Sequence, residues 1–306
     1  MSAGDEQLDV RHLGRANVIC CHRVGDVLVD PGPQSCEAAL LDALGDRVPQ
    51  AVLLTHIHLD HAGATGALVQ RWPHLVVAVH ERGARHLADP SKLIASATRL
   101  YGDDMERLWG TIVPVPEDRL LVLRGGERLD AFGDEGSWRV AYTPGHAQHH
   151  VSYLREDDGT VYAGDVAGVR IGDGPIMPPT PPPDIDLELW RTSLDTIAAW
   201  APQRVAITHF GTFNDPAAHI AELREALDRL PPPAPRPPAA AVRRGPPARG
   251  RRPRPPRDQD AAAFERDVRA WISERVGPER AAAYFQGMPP DALYPGLARY
   301  WARQEP

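Results

Sequence analysis

The chain alternates short, almost wholly apolar runs with longer amphipathic ones. ANVICCHR (16–23), DVLVD (26–30), AVLL (51–54), HLVVAVH (74–80), RLLVL (119–123), WRVAY (138–142), HVSYL (150–154), TVYAGD (160–165) and RVAITH (204–209) have the length and β-branched content of strands. Between them CEAALLDAL (36–44), SKLIASATRLYGDDMERLW (91–109) and DLELWRTSLDTIAAW (186–200) carry apolar residues at helical spacing. Ser35 is placed to cap the first of these helices. In the third, Leu187, Trp190, Leu194 and Ile197 fall on one side. Strands gather before and after helices instead of alternating strictly with them. That grouping predicts an α+β architecture, two mixed β-sheets packed together with helices outside.

The pattern breaks at residues 231–257, which hold 11 prolines, 8 arginines and no acidic residue. Proline removes backbone donors and fixes φ, so neither helix nor sheet is expected, and the stretch reads as an extended linker. Its arginines suit either a soluble spacer or a tether for anions. Beyond it, AAAFERDVRAWISERV (261–276) and ALYPGLARYWARQ (292–304) read as a small C-terminal helical extension. Its Trp271, Tyr284, Phe285, Tyr300 and Trp301 are expected to pack against the main domain or a second copy. The expected organisation is therefore a catalytic domain over 1–230, a linker over 231–257 and helices over 258–306.

Composition narrows the classes. A net charge of −7 over 306 residues, with the positive linker set against an acidic remainder, argues against a nucleic-acid partner. Three cysteines, Cys20, Cys21 and Cys36, are too few and odd in number for a disulfide framework. They are expected to be small buried residues. The polar N-terminus resembles no signal peptide, and no run reaches the roughly 18 apolar residues of a membrane helix. A cytoplasmic protein acting on a small molecule, with no membrane partner, is the expectation.

The candidate chemistry begins at THIHLDHAG (55–63). His56 and His58 are two apart at a strand end, so their side chains point the same way. Asp60 and His61 follow in what reads as a loop leading to a helix near Gly63. Imidazole and carboxylate are ligands shared by zinc, iron and manganese. Further candidates sit at later strand ends: His146 after WRVAYTPG, Asp165 closing TVYAGD and His209 closing RVAITH.

The set HxHxDH, TPGH, GD and THFG resembles the metallo-β-lactamase-fold hydrolases over roughly residues 17–230. The resemblance implies an αββα sandwich. It implies that His56, His58 and His146 bind one metal ion, that Asp60, His61 and His209 bind a second, and that Asp165 bridges both. It also matches Asp30, in LVDPG, to an acidic residue that steadies the metal loop; a plain turn role before Pro31 is the alternative. Two divalent ions, zinc foremost with iron or manganese as alternatives, would share a water and lower its pKa toward about 7 for attack on a carbonyl or phosphorus. Asp60 would also orient that water. The ligand set is most similar to the glyoxalase II branch, which implies thioester hydrolysis. The basic C-terminal elements that hold glutathione there are not recognisable, and a lactonase or phosphodiesterase of the same fold stays open. A mononuclear iron persulfide dioxygenase shares the motif, and a metal-binding interaction protein acting through its Pro/Arg linker is a further alternative.

Neighbouring residues complete the expectations. His149 is a candidate for a direct catalytic role beside the metals, and His150 either shapes the pocket or packs beneath the metal loop. His80 and His86 in HERGARH are six apart, not the four that place two ligands on one helix face, and read as structural. Tyr101, Trp109 and the following VPVPE suggest a cap over the site. The proline-rich MPPTPPPDIDLELW suggests a stiff wall. The C-terminal helices offer a surface for a homo-oligomer.

Overall fold

The computed structural model describes residues 4–130, 136–230 and 258–304. The Pro/Arg stretch at 231–257 lies outside them.

The nine apolar runs each become a strand, and three further strands that the pattern did not predict bring the number to twelve among the described residues. The first six are β1 (Asp5–Asp9), β2 (Cys20–Val24), β3 (Val27–Val29), β4 (Ala51–Leu53), β5 (Val76–His80) and β6 (Leu120–Leu123), and they form one sheet in chain order. The other six are β7 (Arg128–Leu129), β8 (Trp138–Tyr142), β9 (Val151–Arg155), β10 (Thr160–Tyr162), β11 (Arg204–Ile207) and β12 (Gly211–Phe213), ordered β12-β11-β10-β9-β8-β7. Both sheets are mixed. β3 to β6 run parallel to one another while β1 and β2 pair antiparallel, and in the second sheet only β10 and β11 are parallel.

Period-two alternation sorts the side chains into layers. Val27, Val29, Ala51, Leu53 and Ala78 face Trp138, Val140, Val151, Tyr153, Tyr162 and Ala206 between the sheets. The intervening Leu28, Val52, Val77 and Val79 face outward into a second core. There they meet helices α1 (Glu37–Leu44), α3 (Thr65–Arg71) and α4 (Glu81–Ala88) through Leu40, Leu44, Leu68, Val69, Ala84 and Leu87; α2 (Leu59–Ala62) is a single turn before α3. Two further helices, α5 (Ser91–Tyr101) and α6 (Met105–Trp109), follow α4. The outer face of the second sheet is covered by α7 (Leu187–Ala199) and α8 (Pro216–Asp228) over Val161, Val205 and Ile207. Strands buried on both faces need no polar alternation, which is why they read as continuous apolar runs. Truncating a layer residue such as Leu53 to Ala costs about 2–5 kcal/mol.

The C-terminal helices α9 (Asp258–Gly287) and α10 (Pro290–Gln304) pack on this same chain. α9 breaks at Gly277 (φ 75°), immediately before Pro278. Ile272, Tyr284, Met288 and Leu293 join the first outer core, and Leu297 and Tyr300 join the second. Trp271, Phe285 and Trp301 are half-buried against those cores. The Tyr284 hydroxyl donates to the Pro175 carbonyl (2.7 Å) and accepts from the Ile171 amide (3.0 Å).

Two local expectations are corrected. Ser35 does not cap α1; its hydroxyl donates to the Leu108 carbonyl (2.6 Å), and α1 starts at Glu37 from a tight turn over Gln34–Cys36. Asp60 and His61 are helical, not in a loop. β4 ends at Leu53; the extended His58 caps the following turn, and its carbonyl accepts from the amides of His61 (3.0 Å) and Ala62 (2.9 Å) to start α2. Cys20, Cys21 and Cys36 are free and buried, as expected. Among the described residues no helix is long and apolar enough to cross a membrane.

Candidate metal centre

Strand direction explains why distant residues meet. β8 and β10 are both antiparallel to β9, so they run the same way, and β11 is parallel to β10. The segments leaving β8, β10 and β11 therefore emerge at one edge, and they carry His146, Asp165 and His209. The turn after β4 brings His56, His58, Asp60 and His61 to that edge. Glycine permits the tight approach: a Cβ on Gly145 would collide with the Trp190 backbone, and one on Gly164 (φ 45°) with the Thr55 hydroxyl.

All seven residues converge in two sets. In the first, the Nδ1 atom of His58 lies 2.9 Å from Nε2 of His56 and 3.0 Å from Nε2 of His146. Asp165 Oδ2 lies 3.3 Å from His146 Nε2 and completes this set. The second set is Asp60, His61 and His209. His209 Nε2 lies 3.3 Å and His61 Nε2 3.8 Å from Asp60 Oδ2. The other Asp165 oxygen lies 3.3 Å from His61 Nε2 and 3.7 Å from His209 Nε2, so this carboxylate faces both sets.

Four of the five imidazoles are aimed by their remote nitrogen. His61 Nδ1 bonds Asp30 Oδ2 (2.8 Å), His146 Nδ1 the Pro179 carbonyl (2.9 Å) and His209 Nδ1 the Val18 carbonyl (2.7 Å). His56 Nδ1 meets the Thr55 hydroxyl (3.1 Å). Asp30, fully buried at φ 50°, also accepts from the Thr55 amide, the Thr55 hydroxyl and the Thr208 hydroxyl at 2.7–2.8 Å. Its carboxylate thus ties the ends of β3, β4 and β11 to the second set. Trp190 of α7 lies edge-on to His146 (5.6 Å between centroids), and its Nε1 donates to the Val166 carbonyl (2.7 Å).

The electrostatics differ between the two sets. Burial, then the neighbouring His61, His58 and His146 rings, pulls the basicity of His56 well down, and burial lowers His146 to about 4. Neutral imidazoles present lone pairs. His61 and His209 go the other way: burial opposes their charge, but the Asp165 and Asp60 carboxylates raise them. Against burial, His61 and its neighbours hold Asp60 and Asp165 below the ordinary carboxylate range. Positive charge is thus favoured at the second set.

Three buried atoms there, His61 Nε2, His209 Nε2 and Asp165 Oδ1, have no hydrogen-bond partner. Buried polar atoms are ordinarily satisfied, and a cation satisfies all three at once. The donor set therefore fits two metal ions on the chemistry of its own atoms.

A cavity of about 260 Å³ opens over the centre. Tyr101, Trp109, the prolines at 181–183 and His149 line it, in the positions expected of a cap, a wall and a residue beside the metals. His149 accepts at Nδ1 from the Ile57 amide (3.3 Å) and stacks on His56 at 6.0 Å. His150 is fully buried, with Nδ1 on the Thr143 hydroxyl (2.9 Å) and its ring under His56 (5.1 Å). His80 is buried against Tyr142, away from the ligands, whereas His86 lines the cavity rim. Sequence reasoning missed His12, Lys92 and the α9–α10 junction from Gln286 to Leu293, all of which line the cavity. The junction is held in place by Gln286, which donates to the His12 carbonyl (2.6 Å).

Comparison with known proteins agrees with this geometry. ST1585 of Sulfurisphaera tokodaii, a metallo-beta-lactamase fold-containing protein, is 30% identical over 198 residues, 63% of this chain and 71% of that protein. Its solved structure matches with a TM-score of 0.64, covering 75% of this chain and 88% of that one. A hydroxyacylglutathione hydrolase of Xanthomonas axonopodis pv. citri is 32% identical over 160 residues, 52% of this chain, and the match spans 48% of that protein's length. The structure of TTHA1429, a metallo-beta-lactamase family protein from Thermus thermophilus, shares the fold at 21% identity and a TM-score of 0.60 over 99% of this chain and 93% of that one. A family model for the metallo-beta-lactamase superfamily matches residues 16–209, the span that contains every candidate ligand, and the chain belongs to that superfamily.

Proposed function

We propose that the chain is a metal-dependent hydrolase of small ester-type substrates, with thioesters foremost. The observation that carries this reading is the convergence of two ligand sets on one bridging carboxylate, Asp165. His56, His58, His146 and Asp165 would hold one divalent ion, and Asp60, His61, His209 and Asp165 the other. This nitrogen and oxygen set suits zinc, and iron or manganese share it. Metal ions held by these residues would supply Lewis-acid polarisation and lower the pKa of a water at the centre.

The chain's own residues divide the remaining work. Asp60 keeps 20% of its side chain exposed and lines the cavity, and its carboxylate can orient the attacking water. His149 accepts the Ile57 amide hydrogen bond at Nδ1, which leaves its own proton on Nε2, so this neutral ring offers substrate a hydrogen bond and does not act as a base there. In the reaction the water oxygen bonds to the acyl carbon, the carbon–sulfur bond breaks, and carboxylic acid and thiol leave. Relatives named hydroxyacylglutathione hydrolase support a thioester, although they match over about half their length.

A screen of thioesters, lactones, β-lactams and phosphodiesters, with metal content measured on the same sample, tests the reading. About two equivalents of metal and thioester turnover are expected. One iron per chain with oxygen uptake on a persulfide overturns it.

A further inference from the structure

Helix α5 is amphipathic, yet none of its residues is buried. Its cavity-facing residues are Lys92, Leu93, Ser96, Ala97, Leu100 and Tyr101. These recur at one helical face, the spacing by which a helix ordinarily addresses a core. Here that face looks into the cavity, leaving Leu100 42% exposed. Pro182, Met288 and Leu293 line the same cavity and add apolar surface to it. An apolar stripe kept in water is unfavourable by roughly 25 cal/mol per Å² unless a ligand covers it.

The two ends of the stripe differ. Tyr101 lies toward the ligands: it stands edge-on to Trp109 (5.1 Å), Trp109 stacks on His12 (5.4 Å), and Gln286, bonded to the His12 carbonyl, precedes Gly287, where a Cβ would lie 3.0 Å from His209 Nδ1. Lys92 lies nine residues earlier, about 13 Å along a helix of 1.5 Å rise. It is exposed and is the one lysine of the 306-residue chain, whose other cations are arginine. Asp89, the acid three residues before it, accepts from the Ser91 amide (3.1 Å). Among the described residues no ion pair engages the Lys92 ammonium.

We infer that α5 is the specificity element of the site, and that the preferred substrate carries an apolar chain along Leu93, Ala97 and Leu100 ending in an anionic group held by Lys92. The inference rests on the hydrolase reading, and it names the substrate class. A carboxylate and a phosphate monoester at the chain end share the required chemistry.

The test compares acetyl, octanoyl and ω-carboxylated octanoyl thioesters of one neutral thiol, N-acetylcysteamine, on the metal-loaded full chain. An ω-phosphorylated analogue distinguishes the two anions. The ω-anionic substrate is expected to exceed octanoyl in kcat/KM by about tenfold, the scale of one charge-assisted hydrogen bond. Lys92→Met should bring that ratio to about one, and Lys92→Arg should keep it. Ala97→Phe should raise KM for both long substrates more than for acetyl. A ratio unchanged in Lys92→Met, or a wild-type preference for plain octanoyl, overturns the inference. Calorimetry with octanedioate separates the two readings. Binding that Lys92→Met weakens, in a protein that cleaves no thioester, sinks the hydrolase reading and keeps this one. Absence of binding in wild type sinks this one.

Discussion

Oδ2 of Asp30 lies 2.8 Å from Nδ1 of His61, and neither side chain meets solvent. This contact fixes the tautomer of His61 and directs Nε2 toward Asp165. Residues that orient a ligand in this way typically carry 10–100-fold of metal affinity or activity. Asp30→Asn keeps the volume but removes one acceptor from a carboxylate that serves four donors. It should lower metal occupancy at the second set by that factor, measured by metal titration. Full occupancy and activity in Asp30→Asn would reduce the residue to a turn former.

Asp165→Ala and His146→Ala strike the ligands directly. Asp165 faces both sets, so its loss should empty both sites and abolish turnover. His146→Ala removes one of three imidazoles of the first set and should retain metal at Asp60, His61 and His209. Elemental analysis of the two variants reads the difference, and full activity in either one refutes the assignment.

His149 lines the cavity without joining either set. His149→Ala should leave metal content intact while lowering kcat by roughly 10²–10³-fold, the scale of one lost hydrogen-bond donor to the developing oxyanion. A loss confined to KM would instead make it a binding residue.

Chelation tests the balance of charge at the centre. Without ions, the buried His61 Nε2, His209 Nε2 and Asp165 Oδ1 make no hydrogen bond and face each other only at 3.3–3.7 Å. A ligand at about a hundred times its Kd stabilises the fold by about 2.7 kcal/mol. Treatment with a chelator should therefore lower Tm as well as abolish turnover, and added zinc should restore both. An unchanged Tm would show that the centre does not couple to folding.

Tyr284→Phe probes the docking of the C-terminal helices. It removes the donor to Pro175 and the acceptor for the Ile171 amide, leaving buried backbone groups unpaired. A cost of about 1–3 kcal/mol follows, measurable by denaturant unfolding. Because this region positions Gln286 and Met288 at the cavity, a rise in KM should accompany it.

Much of the molecule was legible in the chain because its signals are local. Strands buried on both faces announce themselves as apolar runs, as at AVLL and RVAITH. Ligand types at fixed offsets, as in THIHLDHAG, need no tertiary information to be noticed. The polar loop expected at Asp60 and His61 was wrong because a single helical turn, held by the His58 carbonyl, is too short to leave a period.

What the sequence by itself determined is the layered α+β core and the candidate ligands at strand ends. Only the tertiary structure decided which ligands share a set, since that depends on strand direction across the second sheet and on Asp165 facing both ways. It also decided that α5 turns its apolar face to a cavity and that the α9–α10 junction forms a wall. An amphipathic stripe looks the same in sequence whether it meets a core or a substrate; Met288 and Leu293, which share the cavity with it, lie more than 180 positions away.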